Sequence, residues 1–374
     1  MGVNAAPSRL LHVFSSFEVG GAQIRFCDIA NSSGDRYHHT IIAMDGNFEC
    51  ASRIQSGIGW TMLPVPVVKS HGISFANLVR FRRLLERLRP NVLVTYHWGA
   101  IEWALVNRWR PLVPHVHFED GFGPEESPTV QLRRRIYLRR IALGGNSRVI
   151  VPSQTLWNIV TQLWALDPHR VRLIRNGVDC ERFCKSADRK FLHRFGINSD
   201  ELVIGTVATL RPEKNLARLI EAFSRLPTDF RATLVVAGHG PDRFRLEQIA
   251  ERLGVKARTH FLGPVEHTEL LYPCFDIFAM SSDTEQMPMS LLEAMASGLP
   301  VAATDVGDIT AVLPPENRSL VEGCRDAEAI ARELSVLATD QTLRAQLGQA
   351  NRERACREFA FQKMVQSHRE LLDA

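Results

Sequence analysis

Short apolar runs, each closing on a glycine, a charged residue or a polar turn and followed by helical spacing, recur along the whole chain. They stand at Arg9 to Phe14, His38 to Met44, Asn91 to His97, Pro114 to Phe118, Arg148 to Val151, Val171 to Ile174, Leu202 to Thr209 and Thr233 to Ala237. Strands that alternate with helices pair in parallel and are covered on both faces. The chain is therefore expected to be α/β. Its 374 residues exceed one usual core and suit two domains of about 150 to 200 residues each.

Composition removes several classes of function. The chain is 45% hydrophobic and 23% charged, without repeats or low-complexity tracts. No apolar run reaches the roughly 18 residues that cross a bilayer, and the start lacks a signal peptide's charged head and apolar core, so a cytoplasmic protein is expected. Seven cysteines, an odd number without a Cys-x-x-Cys pair, argue against a disulfide framework and a zinc site. A formal net charge of only +4, with no accompanying motif, disfavours nucleic acid.

The most informative segment runs from Ser281 to Gly298. Pro288 fits the first position of a helix and Gly298 the position past its end, which leaves Glu285 in the loop and Glu293 within the helix. The amides of Met289, Ser290 and Leu291 then lack helical partners and form an anion site. Glu293 interrupts an apolar helix, where ligand hydroxyls would satisfy it. Upstream, Arg211 and Lys214 follow the strand Leu202 to Thr209, at the end where open α/β sheets bind ligands. Two cations there can replace a metal ion in neutralising a diphosphate. Gly238 and Gly240 follow the next strand and permit close approach of backbone to ligand. Taken singly, each motif has an ordinary reading as a surface glutamate, an ion pair or a tight turn.

Taken together, Arg211 and Lys214, Gly238-x-Gly240, Phe261-Leu262-Gly263 and Glu285-x7-Glu293 up to Val301 resemble the C-terminal half of retaining glycosyltransferases of family 4, which have the GT-B fold. The likeness covers roughly residues 200 to 315. It implies two Rossmann-like domains with parallel sheets facing across a cleft, the donor lying between them. It assigns the donor diphosphate to Arg211 and Lys214, the ribose to Glu293 and the sugar to Glu285. The segment Thr259 to Gly263, with Leu262, would lie near the base. Gln286 departs from the family, which often has glycine there. Asn176-Gly177-Val178-Asp179 resembles the family's exit from the first domain. The implied division is 1–180 for the acceptor side, 181–355 for the donor side and 356–374 for a helix crossing back. No cofactor or metal is implied beyond the nucleotide sugar, UDP- or GDP-linked, and the acceptor would be a glycan or a lipid-linked hydroxyl.

In the first half, Gly20 and Gly21 lead into a helix and are similar to the loop that family members place over the donor phosphates. His97, His117 and Asp120 lie at strand ends as catalytic candidates. Aligning the strand favours His117, and aligning the acidic residue and glycine favours Asp120. Glu119 and Asp120 together could orient acceptor hydroxyls or take the acceptor's proton. Two arginine-rich helical stretches, 80–89 and 131–140, have a solvated face or a peripheral contact with anionic lipid as their readings, with Arg133, Arg134, Arg139 and Arg140 expected outward. The competing functions are a sugar-nucleotide epimerase of the same fold and a catalytically silent nucleotide-sugar binding protein. A dinucleotide dehydrogenase is disfavoured because no strand leads into Gly-x-Gly-x-x-Gly.

Overall fold

The computed structural model describes residues 6–373 except 69–71, 123–124, 185, 187, 198–199, 228–229 and 322. The chain forms two compact units, Met1–Arg175 with Val365–Ala374, and Asn176–Met364. The chain thus changes unit at 175/176 and 364/365, where the sequence placed the changes near 180 and 355.

The first unit is built on a seven-stranded parallel sheet in the order β3-β2-β1-β4-β5-β6-β7. Its strands are β1 (Ser8–Phe14), β2 (Tyr37–Ala43), β3 (Gly59–Met62), β4 (Val92–Tyr96), β5 (His115–Phe118), β6 (Ser147–Val151) and β7 (Val171–Leu173). Helices cover both faces, which is why the inner strands read as continuous apolar runs. The helix Phe75–Leu88 shows the local logic. Ser74 caps it by accepting from Asn77 N, and Asn77, Phe81 and Leu85 are buried at a spacing of four. Phe81 stacks on Trp103 with ring centroids 4.4 Å apart.

The second unit carries a five-stranded parallel sheet in the order β10-β9-β8-β11-β12. Its strands are β8 (Leu202–Val207), β9 (Ala232–Ala237), β10 (Thr259–Gly263), β11 (Ile277–Met280) and β12 (Val301–Ala303). The helix Leu216–Ser224 lays Leu216, Leu219, Ile220 and Phe223 on this sheet. Edge strand β12 is finished by Asn317, whose side-chain amide bonds both the N–H and the carbonyl of Val301 as a neighbouring strand would. Strands β3, β10, β11 and β12 lie outside the set expected from sequence. Each has only three to five residues, too few to show a period.

The single helix expected from Cys356 is two helices, Gln341–Glu358 and Phe361–Asp373. The break falls at Phe359 and Ala360 because Val178 takes their main chain. Val178 N donates to Phe359 O at 2.8 Å, and Phe361 N donates to Val178 O at 3.0 Å. From Val365 onward the last helix belongs to the first unit, and its Leu371 joins the core around Phe14 and Ile41.

Candidate active site

In the second unit the expected donor residues gather at the exits of β8, β9 and β11. After β8, Pro212–Lys214 makes one tight 3-10 turn that ends at Asn215, a non-glycine residue with φ 41 whose side chain caps the following helix. That turn brings Lys214 to the loop after β11. Its ammonium donates to Glu285 Oε1 at 2.5 Å, and Ser282 Oγ donates to the same oxygen at 2.8 Å. Glu285 is only 9% exposed, so these two donors supply what water would otherwise give the carboxylate. The two loops are tied together by main chain and side chain. Asp283 N donates to Glu213 O at 2.9 Å, and Arg218 Nη2 donates to Asp283 at 2.6 Å. Arg211, exposed, stands at the start of the tight turn.

The helix Met289–Ala296 begins one residue later than the sequence suggested. Pro288 is its extended N-cap (φ −68, ψ 133), not its first helical residue. The preceding carbonyl, of Met287, accepts from Asn176 Nδ2 at 2.7 Å, which fixes where the unpaired amides of Met289, Ser290 and Leu291 emerge. The helix closes as expected at Gly298 (φ 74), where Gly298 N bonds Met295 O and Leu299 N bonds Ala294 O. Glu293 lies half-buried on this helix. The Tyr272 hydroxyl, 3.2 Å from Ser290 O, also bonds the Glu293 carboxylate. Burial first, and then the Glu293 charge, holds that phenol well above its ordinary pKa.

Sequence reasoning missed Tyr272 and Gly307. Nothing local marks the tyrosine's hydroxyl within Leu270-Leu271-Tyr272. Gly307 follows β12 with φ 61, and a Cβ there would stand 2.0 Å from the Glu285 carbonyl oxygen. Asp308 N also donates to Gln286 O at 3.1 Å. The loop after β12 therefore presses the Glu285–Gln286 segment into place, and Gln286 is buried. Gly238 (φ 134) has a structural cause as well. A Cβ on it would meet Ala208 O at 1.9 Å, so glycine lets the exits of β8 and β9 run against each other. Leu262 is the extra residue where the β9–β10 register shifts between Phe261 and Gly263.

The first unit groups its candidates at the ends of β4 and β5. His117 is completely buried, its Nδ1 2.8 Å from Thr95 Oγ1. Asp120 accepts two bonds from the Arg25 guanidinium, at 2.5 and 2.8 Å. Burial favours protonation of this carboxyl, but the Arg25 charge and bonds outweigh it and hold the pKa below the ordinary value. His97 Nδ1 lies 3.3 Å from Glu119 Oε1, and its Nε2 lies 3.7 Å from Asp120 Oδ2. Gly20 is the extended N-cap of the helix Gly21–Ser33, at the exit of β1, and a Cβ on Gly21 would meet nothing within 4 Å. Local packing therefore does not demand glycine at 21.

The arginine-rich helix Arg133–Leu143 departs from expectation. Arg139 points inward, buried, and bonds Glu126 at 2.8 and 3.1 Å with its guanidinium 4.5 Å from the Trp164 ring centre. Arg140 donates to the carbonyls of Leu163 and Trp164. Arg133, Arg134 and Arg140 remain exposed. The outward face thus keeps three of the four expected arginines and loses Arg139, because Glu126 lies beyond the helix and its pairing is invisible in helical periodicity. Among the described residues no helix is long and apolar enough to cross a membrane.

The family pattern described as glycosyl transferases group 1 matches residues 188–354, and that described as Glycosyltransferase Family 4 matches residues 19–182. The chain belongs to glycosyltransferase family 4. Among relatives of this glycosyltransferase, the EpsF glycosyltransferase of Bacillus subtilis is 29% identical over 81% of the chain and 80% of its own length. N-acetyl-alpha-D-glucosaminyl L-malate synthase of Bacillus anthracis is 25% identical over 62% of the chain, which spans only 60% of that relative. HepE of Anabaena, solved in complex with UDP and glucose, superposes with a TM-score of 0.82 at 19% identity, covering 98% of the chain and 99% of its own. WaaG, a glycosyltransferase involved in lipopolysaccharide biosynthesis, gives 0.76 at 18% identity, covering 97% and 99%. These likenesses establish the GT-B fold for this family 4 glycosyltransferase.

Proposed function

We propose that the protein transfers a glycosyl group from a nucleotide diphosphate sugar to a hydroxyl of a glycan or lipid-linked acceptor, with retention of configuration and without a metal ion. The observation that carries this reading is the Lys214–Glu285 contact at the exit of β8, beside a helix start whose free amides follow directly on the same loop. As the bond between the sugar and the diphosphate breaks, negative charge grows on the leaving phosphate. Lys214, Arg211 and the amides of Met289 to Leu291 meet that charge with dipoles and cations already in position. Glu293, steadied by Tyr272, takes the ribose hydroxyls, and Glu285 faces the sugar. UDP is the favoured nucleotide, since HepE is complexed with UDP and UDP-glucose.

Thermal shift with UDP-, GDP-, ADP- and dTDP-sugars tests the donor. A nucleotide sugar at a hundred times its dissociation constant stabilises the fold by about 2.7 kcal/mol. UDP release against a panel of glycans and lipid-linked sugars then selects the acceptor, and the same assay in EDTA tests metal independence. A shift without turnover would leave a silent binding protein, and turnover without acceptor would indicate an epimerase.

A further inference from the structure

A buried polar chain runs through the sheet of the first unit. Ser147 Oγ lies 2.8 Å from His115 Nδ1, His115 Nε2 lies 2.9 Å from Thr95 Oγ1, and Thr95 Oγ1 lies 2.8 Å from His117 Nδ1. His117 Nε2 and Arg139 Nε each stand 3.8 Å from Glu119 Oε2. Glu119 Oε1 reaches His97 Nδ1 at 3.3 Å. Thr95 has one hydroxyl proton, so it donates to one imidazole and accepts from the other. With neutral rings, only one direction ends with an N–H, rather than a lone pair, facing the carboxylate. Ser147 donates to His115, His115 to Thr95, and Thr95 to His117, whose Nε2–H faces Glu119. An ionised Glu119 in turn favours a proton on His97 Nδ1.

His97 differs from every other member of this chain. Its side chain is 35% exposed, against 1% or less for Glu119, His117 and Arg139. It is a non-glycine residue at φ 56 and ψ −179, a conformation that persists only where surrounding bonds impose it. Those bonds are His97 N to Phe118 O at 2.8 Å and Ala100 N to His97 O at 3.2 Å.

We propose that His97 is the group through which this unit contacts the acceptor, as a cationic hydrogen-bond donor to an acceptor oxygen, and that Glu119 is the positioning residue that orients and charges it. The inference rests on the glycosyl-transfer reading for the identity of the ligand, and on the geometry alone for the Glu119–His97 pair. The charged groups facing the ring are Glu119 and Asp120 beyond β5 and Arg25 from the helix Gly21–Ser33. Arg139 and His117 stand behind Glu119. Burial by itself lowers the His97 pKa, but the bond to Glu119 and the charges of Asp120 and Glu119 outweigh it and the opposing Arg25, so the imidazolium is favoured.

The decisive measurement is a ring-nitrogen NMR titration of the 15N-histidine-labelled full chain, with His97→Gln assigning the signal. His97 is expected to carry its Nδ1 proton and to titrate above the ordinary histidine value of about 6.5, and Glu119→Gln to bring it to that value or below. A wild-type His97 that titrates at or below the ordinary value overturns the positioning role, and this holds even if the Glu119 variant fails to fold. The kinetic arm uses UDP-glucose with the acceptor selected by UDP release. The KM for acceptor should rise about tenfold in His97→Gln, with the KM for UDP-glucose unchanged, and in the wild type it should rise as pH passes the His97 titration. An unchanged acceptor KM in the variant overturns the contact. If no nucleotide sugar stabilises the protein, the transfer reading fails by itself, and the titration still decides the pair.

Discussion

Lys214 Nζ and Glu285 Oε1 lie 2.5 Å apart although 71 positions separate them in the chain. The pair holds a cation and a nearly buried carboxylate at one point, so each keeps the other extended toward the strand ends. A donor diphosphate would share the ammonium with Glu285. Lys214→Ala should therefore lower kcat more than it raises the donor KM, because leaving-group charge grows in the transition state. It should also cost about 1 to 3 kcal/mol of stability by leaving Glu285 with Ser282 as its remaining side-chain donor. Steady-state kinetics and urea unfolding check both, and a wild-type kcat would remove Lys214 from the reaction.

Gly307→Ala tests the support of that loop. The added carbon would meet the Glu285 carbonyl at 2.0 Å, on a backbone at φ 61. The expected outcome is a loss of about 1 to 3 kcal/mol from backbone strain, together with reduced binding of the nucleotide sugar as the Glu285 segment is displaced. Thermal shift with and without UDP-glucose reads both effects. Normal ligand stabilisation in a folded variant would show that the loop position is immaterial.

The last helix can be tested through fluorescence, because the tryptophans Trp60, Trp98, Trp103, Trp109, Trp157 and Trp164 all lie in the first unit. Leu371 is buried in that unit's core, His368 stacks on Phe118 at 5.4 Å, and Tyr37 donates to Asp373 at 2.8 Å. Leu371→Ala should destabilise this unit by about 2 to 5 kcal/mol, and deletion from residue 365 by at least as much. Unchanged tryptophan-monitored melting would contradict the packing.

Acid should unfold the first unit early. His12, His39 and His115 are buried, and burial is the main reason that their pKa values fall, to about 4 for His39 and about 3 for His115. Their unfolded counterparts bind protons from about pH 6.5 downward, so the unfolded state gains protons that the native state refuses. Stability then falls as pH falls below 6.5, by about 1.4 kcal/mol per pH unit for each histidine. His97, whose pKa is raised, contributes stability that is fully present below about pH 6.5 and is lost only as pH rises through its folded pKa, so it leaves this acid slope unchanged. Urea midpoints followed by tryptophan fluorescence between pH 7 and 5 should show the slope, and a flat profile would mean that these rings are not neutral in the native state.

The sequence by itself determined the α/β class, most of the long strands and the helix that carries Glu293, because each rests on neighbours in the chain. Apolar period, a proline that cannot donate and a glycine that accepts positive φ act over a few residues, and they are legible without the fold. The clustering of the candidate donor residues was legible for a related reason, since Arg211 and Lys214 share one tight turn and Glu285 and Glu293 flank one helix start.

Tertiary structure alone decided which ionisable groups face outward. His117 and Arg139 have the same residue types and periodicity as exposed groups, yet Thr95 and Glu126 draw them inside. Arg25 reaches Asp120 across 95 positions, and Gly307 is a glycine because the backbone of Glu285 occupies the space for its side chain. Such choices depend on the burial cost of a charge and on the partner that offsets it, and the partner is supplied by a different strand or helix. Local periodicity carries no record of that partner, so only the folded chain selects it.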